Sequence, residues 1–332
     1  MSNKIFCFGE LLLRMSPQLN RQWIADCNMP VFVGGAELNV AQALAQWQLP
    51  VKYGTALPNH YLSEEIIQFI EAKKINSSAI HLGGERIGVY YLPQGADLKN
   101  AGVIYDRAHS AFASLKPGTI HWREVLKDCN WFHFSAISPA LNDDAAAVCH
   151  EAVTVAKEMG LTVSVDLNYR AKLWQYGKQP MAVMPQLVSY CDVIMGNLWA
   201  AEALLGITSP VKDSAGKTNE ELAAAAKESM QQLQQQFTQV KTMAYTFRLD
   251  KRYWAYLQHG QQQATAKELI IEDVVDKVGS GDCFMAGLIY GLVNNHAANS
   301  IINFAATAAV GKLYEKGDAT QQTVAQIQQR LV

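Results

Sequence analysis

The sequence predicts an α/β fold with a mainly parallel central sheet and a small β appendage, on three observations. From about residue 130, short apolar runs alternate with helical stretches, the pattern of βαβ units whose ligands bind beyond the carboxyl ends of the strands. Residues 85–107, ERIGVYYLPQGADLKNAGVIYDR, have a different texture: two aromatic and β-branched runs around Gly and Asn, expected to form antiparallel strands. A chain of 332 residues, 49% of them hydrophobic, can also bury a large core. No internal repeat or linker-like stretch interrupts it. The reading is therefore one domain over residues 1–332, with its β appendage drawn from about 11–33 and 85–110.

Taken in order, KIFCFGELLLRM (4–15) reads as a buried strand. PVFVGGAELNVAQALAQW (30–47) puts a glycine turn ahead of a helix, with Val40, Ala43, Leu44 and Trp47 at helical spacing. NWFHFSAI (130–137) is expected as a strand, DDAAAVCHEAVTVAKEMG (143–160) as a helix and LTVSVDLN (161–168) as the next strand. MPQLVSYC, DVIMGN and AAEALLG continue the alternation between 184 and 206. Residues 219–239 are strongly helical, and their Gln-rich face suits solvent. TMAYTF (242–247) and YWAYLQ (253–258) add two strands, and beyond 283 the chain reads as mostly helix.

A net charge of -2 and the lack of long basic runs argue against nucleic acid or an anionic membrane surface as the main partner, since both demand clustered Lys and Arg. No stretch is long and apolar enough to suggest a membrane span or a signal peptide, so a cytoplasmic protein acting on a small molecule is expected. The six cysteines are scattered without metal-ligand spacing and read as buried free thiols.

The segment DKVGSGDCF (276–284) carries the sharpest chemical signal. Backbone N–H groups of Gly279, Ser280 and Gly281 at a helix N-terminus would aim donors and the positive end of the dipole at an anion. A carboxylate at Asp282 repels such a ligand unless it takes a proton from an attacking hydroxyl during phosphoryl transfer. The competing reading is a glycine turn with Asp282 as a first-turn acid. The lysine of a P-loop is absent. A second glycine turn, VGGAELN (33–39), would let a ligand sit on bare backbone, with Asn39 one turn into the helix.

These two motifs, in this order and far apart, resemble the ribokinase-like (PfkB-type) carbohydrate kinases, whose Gly-Gly signature binds sugar and whose D-x-x-G-[AS]-G-D-x-F signature holds the anion hole and base. Asp276, Gly279, Ser280, Gly281, Asp282 and Phe284 fill that second pattern. The resemblance implies a three-layer ribokinase-like fold with a β-sheet lid. GERIGVYYLPQGA, VIYDRAHSAF, FHFSAISPAL and VDLNYRAKLW are most similar to the family's 2-keto-3-deoxygluconate kinases. This implies sugar contacts from Gly34, Gly35, Asn39, Tyr90, Tyr105, Arg107 and Arg170, with Tyr91 as the alternative to Tyr90. Two arginines suit a sugar carboxylate, because a guanidinium fork matches it. Either arginine could instead pair with a nearby acid such as Asp106 or Asp166.

On the nucleotide side the resemblance implies ATP and Mg2+ near Asn197, Thr246, Arg248, Gly279 and Gly281. It also implies a monovalent cation near Asp276 and a homodimer formed through the lid. The chain departs from the family pattern at Ala200, where a Glu is usual, at Arg248, where Gly is common, and at Ala306, where Asn is frequent; Glu202 is not counted as a substitute. The expected function is an ATP-dependent 2-keto-3-deoxygluconate kinase. The alternatives are a kinase for another sugar, such as fructose or ribose, or a weakly active or non-catalytic sugar-acid-binding homologue.

Overall fold

The computed structural model describes residues 3–18, 22–94 and 102–331. Residues 19–21 and 95–101, within the two segments expected to build the lid, lie outside the described residues.

In chain order the strands are β1 (Lys4–Phe8), β2 (Leu12–Met15), β3 (Val31–Gly34), β4 (Val51–Leu57), β5 (Asn76–Leu82), β6 (Gly88–Tyr91) and β7 (Ile104–Asp106). They continue as β8 (Cys129–Ser135), β9 (Thr162–Asp166), β10 (Val193–Gly196), β11 (Thr242–Arg248), β12 (Arg252–His259), β13 (Gln262–Thr265) and β14 (Leu269–Ile270). The helices are α1 (Ala36–Gln46), α2 (Tyr61–Ala72), α3 (Trp122–Leu126), α4 (Asp143–Glu158) and α5 (Pro180–Val188). After them come α6 (Leu198–Leu205), α7 (Asn219–Gln236), α8 (Ser280–Val293), α9 (Ala298–Leu313) and α10 (Val324–Gln329).

Ten strands form one sheet in the order β13-β12-β11-β10-β9-β8-β1-β4-β5, with β14 beside β12. From β11 to β5 every pairing is parallel, whereas β12 runs antiparallel to β11, β13 and β14. The side chains of β1 alternate between the two faces: Phe6 and Phe8 join a core with α3 to α7, while Ile5 and Cys7 join a core with α1, α2 and α8 to α10. Both faces are covered, as a parallel sheet requires. Helix ends are fixed locally. Asn142 caps α4 and Thr218 with Glu221 forms a capping box on α7.

The run 4–15 is two strands rather than one. The chain leaves the large sheet at Gly9, where a Cβ would lie 2.0 Å from Glu37 Oε2, and re-forms as β2 in a second, 4-stranded sheet ordered β3-β2-β6-β7. Apolar periodicity cannot register this break, because both halves are buried. Tyr90 and Tyr105 are cross-strand partners on one face of this small sheet; Val31, Met15, Tyr91 and Ile104 form an in-register row on the other. Of the six thiols, four are buried, but Cys27 is exposed and Cys129 partly so; all are free. No helix among the described residues is long and apolar enough to cross a membrane.

Candidate active site

A cleft of about 580 Å³ opens at the carboxyl ends of β9, β10 and β11, and is lined as well by the small sheet and by the N-termini of α1 and α8. Gly279 caps α8 with φ 79°, and a Cβ there would lie 1.7 Å from the Asp318 carbonyl oxygen. Only glycine meets both demands. No side chain caps the helix, and the Ser280 hydroxyl turns away to donate to the Ala309 carbonyl at 2.9 Å. The first-turn N–H groups have no intrahelical acceptor, so they and the dipole favour an anion at this end of the cleft. A Cβ on Gly281 would meet no protein atom within 4 Å. The fold does not itself require glycine there, and its absence of side chain lets a ligand approach the backbone.

Asp282 lines the cleft but does not cap its own helix: its Oδ2 accepts from Asn39 Nδ2 at 2.7 Å. Burial raises its pKa to about 6, opposed by the Asn39 hydrogen bond and by Arg170 and Lys312, and reinforced by Asp318. A carboxylate tuned close to neutrality and aimed into a cleft suits a general base. Asn39 is held by α1, whose cap Gly35 (φ 140°) passes so close to the Glu10 carbonyl that a Cβ would lie 2.4 Å from it. Glu37 anchors the same helix, accepting from the Ser135 N–H at 2.9 Å and hydroxyl at 2.7 Å, and burial raises its pKa to about 7.

Tyr90 and Tyr105 line the cleft with ring centroids 6.4 Å apart, whereas Tyr91 sits on the opposite face of the small sheet. The Tyr90 hydroxyl donates to Asp318 Oδ2 at 3.1 Å. Arg107 also lines the cleft, and its Nε donates to Glu10 Oε2 at 2.7 Å while the Ser110 hydroxyl bonds the other oxygen of Glu10. Its partner is therefore Glu10 and not Asp106, which pairs with Arg86 at 2.7 Å. Arg170 donates to the Tyr169 carbonyl at 3.0 Å and makes no ion pair among the described residues. Asp166 lies in the same cleft with its pKa pushed well up, first by burial and then by Asp282. Gly34 is the exception among the expected sugar contacts. It does not line the cleft, and a Cβ there would strike Asp318 Oδ2 at 2.2 Å, so it makes room for that carboxylate.

Asn197, Thr246, Arg248 and Ala200 line the far part of the cleft. Asn197 caps α6 by accepting from the Ala200 N–H at 2.9 Å, and the Thr246 hydroxyl points at the Gly196 carbonyl, 3.4 Å away. Glu202 lies outside the cleft and accepts from the Ser209 N–H at 3.2 Å. Ala306 is fully buried in the core and also lies outside it. Two of the three departures, Ala200 and Arg248, therefore border the site.

Asp276 does not line the cleft, and its surroundings do not fit the monovalent cation that the resemblance implies. A carboxylate has about four acceptor positions. Here Arg14 Nη1 (3.4 Å) and the Val278 N–H (3.0 Å) reach Oδ1, while Arg14 Nη2 (2.7 Å) and the Gly317 N–H (3.3 Å) reach Oδ2. Four residues that motif reading missed thus shape the site: Glu10, Arg14, Lys312 and Asp318. Each is a charge set in an apolar or glycine-rich surrounding, which was the available signal. No group of three His, Cys, Asp or Glu side chains forms a metal site among the described residues.

A sequence model of pfkB family carbohydrate kinases matches residues 2–323. The chain belongs to this family. This pfkB-family protein is 25% identical, over all of its length and 97% of the relative's, to a 2-dehydro-3-deoxygalactonokinase of Haloferax volcanii. It is 24% identical to the 2-dehydro-3-deoxygluconokinase of Bacillus subtilis, over 79% of this chain and 74% of that one. Its backbone is similar to the crystal structure of 2-dehydro-3-deoxygluconokinase from Thermotoga maritima, with a TM-score of 0.89, 33% identity and 99% of each chain covered.

Proposed function

We propose that this carbohydrate kinase transfers the γ-phosphoryl group of ATP to a hydroxyl of 2-keto-3-deoxygluconate. The observation that carries this reading is Asp282: a buried carboxylate, held by Asn39, in the first turn of α8, a helix that no side chain caps. Asp282 takes the hydroxyl proton as the substrate oxygen bonds to the γ-phosphorus. The bond from that phosphorus to the bridging oxygen breaks, and ADP leaves with its electron pair. The N–H groups from Gly279 to Asp282 offset charge on the moving phosphoryl group. Magnesium would enter on the nucleotide's phosphates, held by water and at most one or two carboxylates, and would neutralise phosphate charge.

Arg107 and Arg170 border the cleft on the sugar side and support a carboxylate-bearing substrate, as does the kinship with 2-dehydro-3-deoxy sugar acid kinases. Tyr90 and Tyr105 would cover the sugar and exclude water. Asn197, Thr246 and Arg248 would border the nucleotide. The outer row of the small sheet, with Val31 and Ile104 each 52% exposed, supports a homodimer joined through the lid. Free cysteines and ATP use support a cytoplasmic location.

The test is coupled-assay turnover with ATP and a panel of 2-keto-3-deoxygluconate, fructose and ribose, comparing wild type with Asp282→Asn. The acid sugar is expected to have the highest kcat/KM, and the variant to be nearly inactive. Tight binding of the acid sugar without turnover would overturn the kinase reading; a preference for fructose or ribose would overturn the substrate.

A further inference from the structure

Beneath the Gly279–Asp282 turn lies a buried charge cluster built from distant parts of the chain. Arg14, on β2, is 1% exposed and holds both oxygens of Asp276. Its Nε also lies 2.8 Å from Asp318 Oδ1, off the N–H axis, so that contact is ionic without being a hydrogen bond. Lys312 is fully buried and is the one charged residue of α9. Its ammonium donates to the Glu315 carbonyl at 3.1 Å, and its Cε would lie 3.4 Å from a Cβ on Gly279. Burial lowers the Lys312 pKa, and Asp276, Glu315 and Asp318 oppose that shift. The Asp318 backbone packs against Gly279 itself.

Two buried carboxylates and two buried cations thus lie together beside the anion-binding turn, with Asp318 also reaching the cleft. Removing either cation would leave a buried carboxylate uncompensated where the turn must hold its N–H groups still. An external monovalent ion at Asp276 would have to displace a guanidinium already seated there.

We propose that Arg14 and Lys312 are the resident cations of this turn, and that the enzyme therefore needs no monovalent cation. They are positioning residues: they act through Asp276, Asp318 and the Gly279 backbone rather than on substrate. The proposal rests on the kinase reading for its kinetic arm alone.

The experiment compares wild type and Lys312→Ala in potassium, ammonium, sodium or N-methylglucamine as the sole monovalent cation. Wild-type kcat is expected to be the same in all four. Lys312→Ala is expected to lose at least roughly tenfold in kcat in N-methylglucamine. It should regain most of that loss in potassium or ammonium, which can enter the volume the ammonium left. A merely structural lysine would give no ion-selective rescue. Thermal midpoints without substrate give a second readout: Lys312→Ala should gain from potassium over N-methylglucamine, and wild type should not. Potassium activation of the wild type would overturn the proposal, as would a Lys312→Ala variant that is fully active without small cations or indifferent to them. Should Lys312→Ala not fold, the wild-type cation panel decides alone. If wild type turned over no sugar, the kinase reading would fall, while the melting comparison would still test the resident cations.

Discussion

Replacing Asp282 with Asn separates the chemistry of this carboxylate from its cost to the fold. Burial raises its pKa from 3.8 to about 6. At about 1.36 kcal/mol per unit, ionising it in the native state costs roughly 3 kcal/mol more than in the unfolded chain. The sign follows from which state holds the proton more tightly. The folded pKa is the higher one, so the contribution of Asp282 is fully present below about pH 4 and is lost as pH rises through about 6. An amide keeps the shape and can still accept the Asn39 hydrogen bond, but never ionises. Asp282→Asn should therefore be more stable than wild type by roughly 3 kcal/mol at pH 8, and by roughly half that at pH 5. A chain of this length has an unfolding entropy of about 0.7 kcal/mol/K, so its thermal midpoint should rise by about 4 °C at pH 8. Over the same change kcat should fall by roughly a thousandfold, in the range for loss of a general base. Calorimetry across pH 4 to 8 beside a coupled kinase assay makes the comparison. A midpoint that does not rise at pH 8, or a gain that does not shrink on acidification, refutes the burial argument. A kcat within about tenfold of wild type refutes the assignment of the base.

Wild-type kcat/KM should fall about tenfold per pH unit below about pH 6, as Asp282 takes up its proton. Asn39→Ala removes the hydrogen bond that opposes the upward shift, so the acid limb of its pH–rate profile should move to higher pH; an unmoved limb would show that Asn39 does not tune the base. Arg170→Ala should raise KM for an acid sugar by roughly ten- to a hundredfold and leave neutral sugars nearly unchanged, and equal losses on both would exclude a carboxylate contact. Gly279→Ala should lower stability by at least about 2 kcal/mol, because φ 79° and the Asp318 carbonyl both resist a Cβ. Gly281→Ala, which meets no protein atom, should melt like wild type but bind ATP more weakly; titration calorimetry with ATP checks this.

Much of the fold was legible because its elements are encoded locally. The alternation from 130 to 206 became β8 to α6, and the texture of 85–107 became the antiparallel pair β6 and β7. The glycine turn before 36–46 became the Gly35 cap of α1. The break at Gly9 was not legible, since the run is buried on both sides of it and its apolar pattern continues through; that the Glu37 carboxylate of another element leaves no room for a side chain at position 9 shows only in the packed chain. Nor was the antiparallel edge formed by β12, because pairing direction depends on which strands become neighbours.

The candidate site divides in the same way. By itself the sequence determined the motif residues: the glycines that permit a helix to begin at 279, the acid at 282, and two arginines in segments like those of sugar acid kinases. These follow from short-range spacing and residue type. Only the tertiary structure decided that Asp282 meets Asn39 across 243 positions, that Tyr90 rather than Tyr91 borders the cleft, and that Arg107 leans on Glu10. It alone seated Arg14 on Asp276, 262 positions away, and buried Lys312 under the same turn. The physical reason is that a charge becomes costly, tuned or paired only when folding removes its water, and which partner replaces that water is a property of the packed chain.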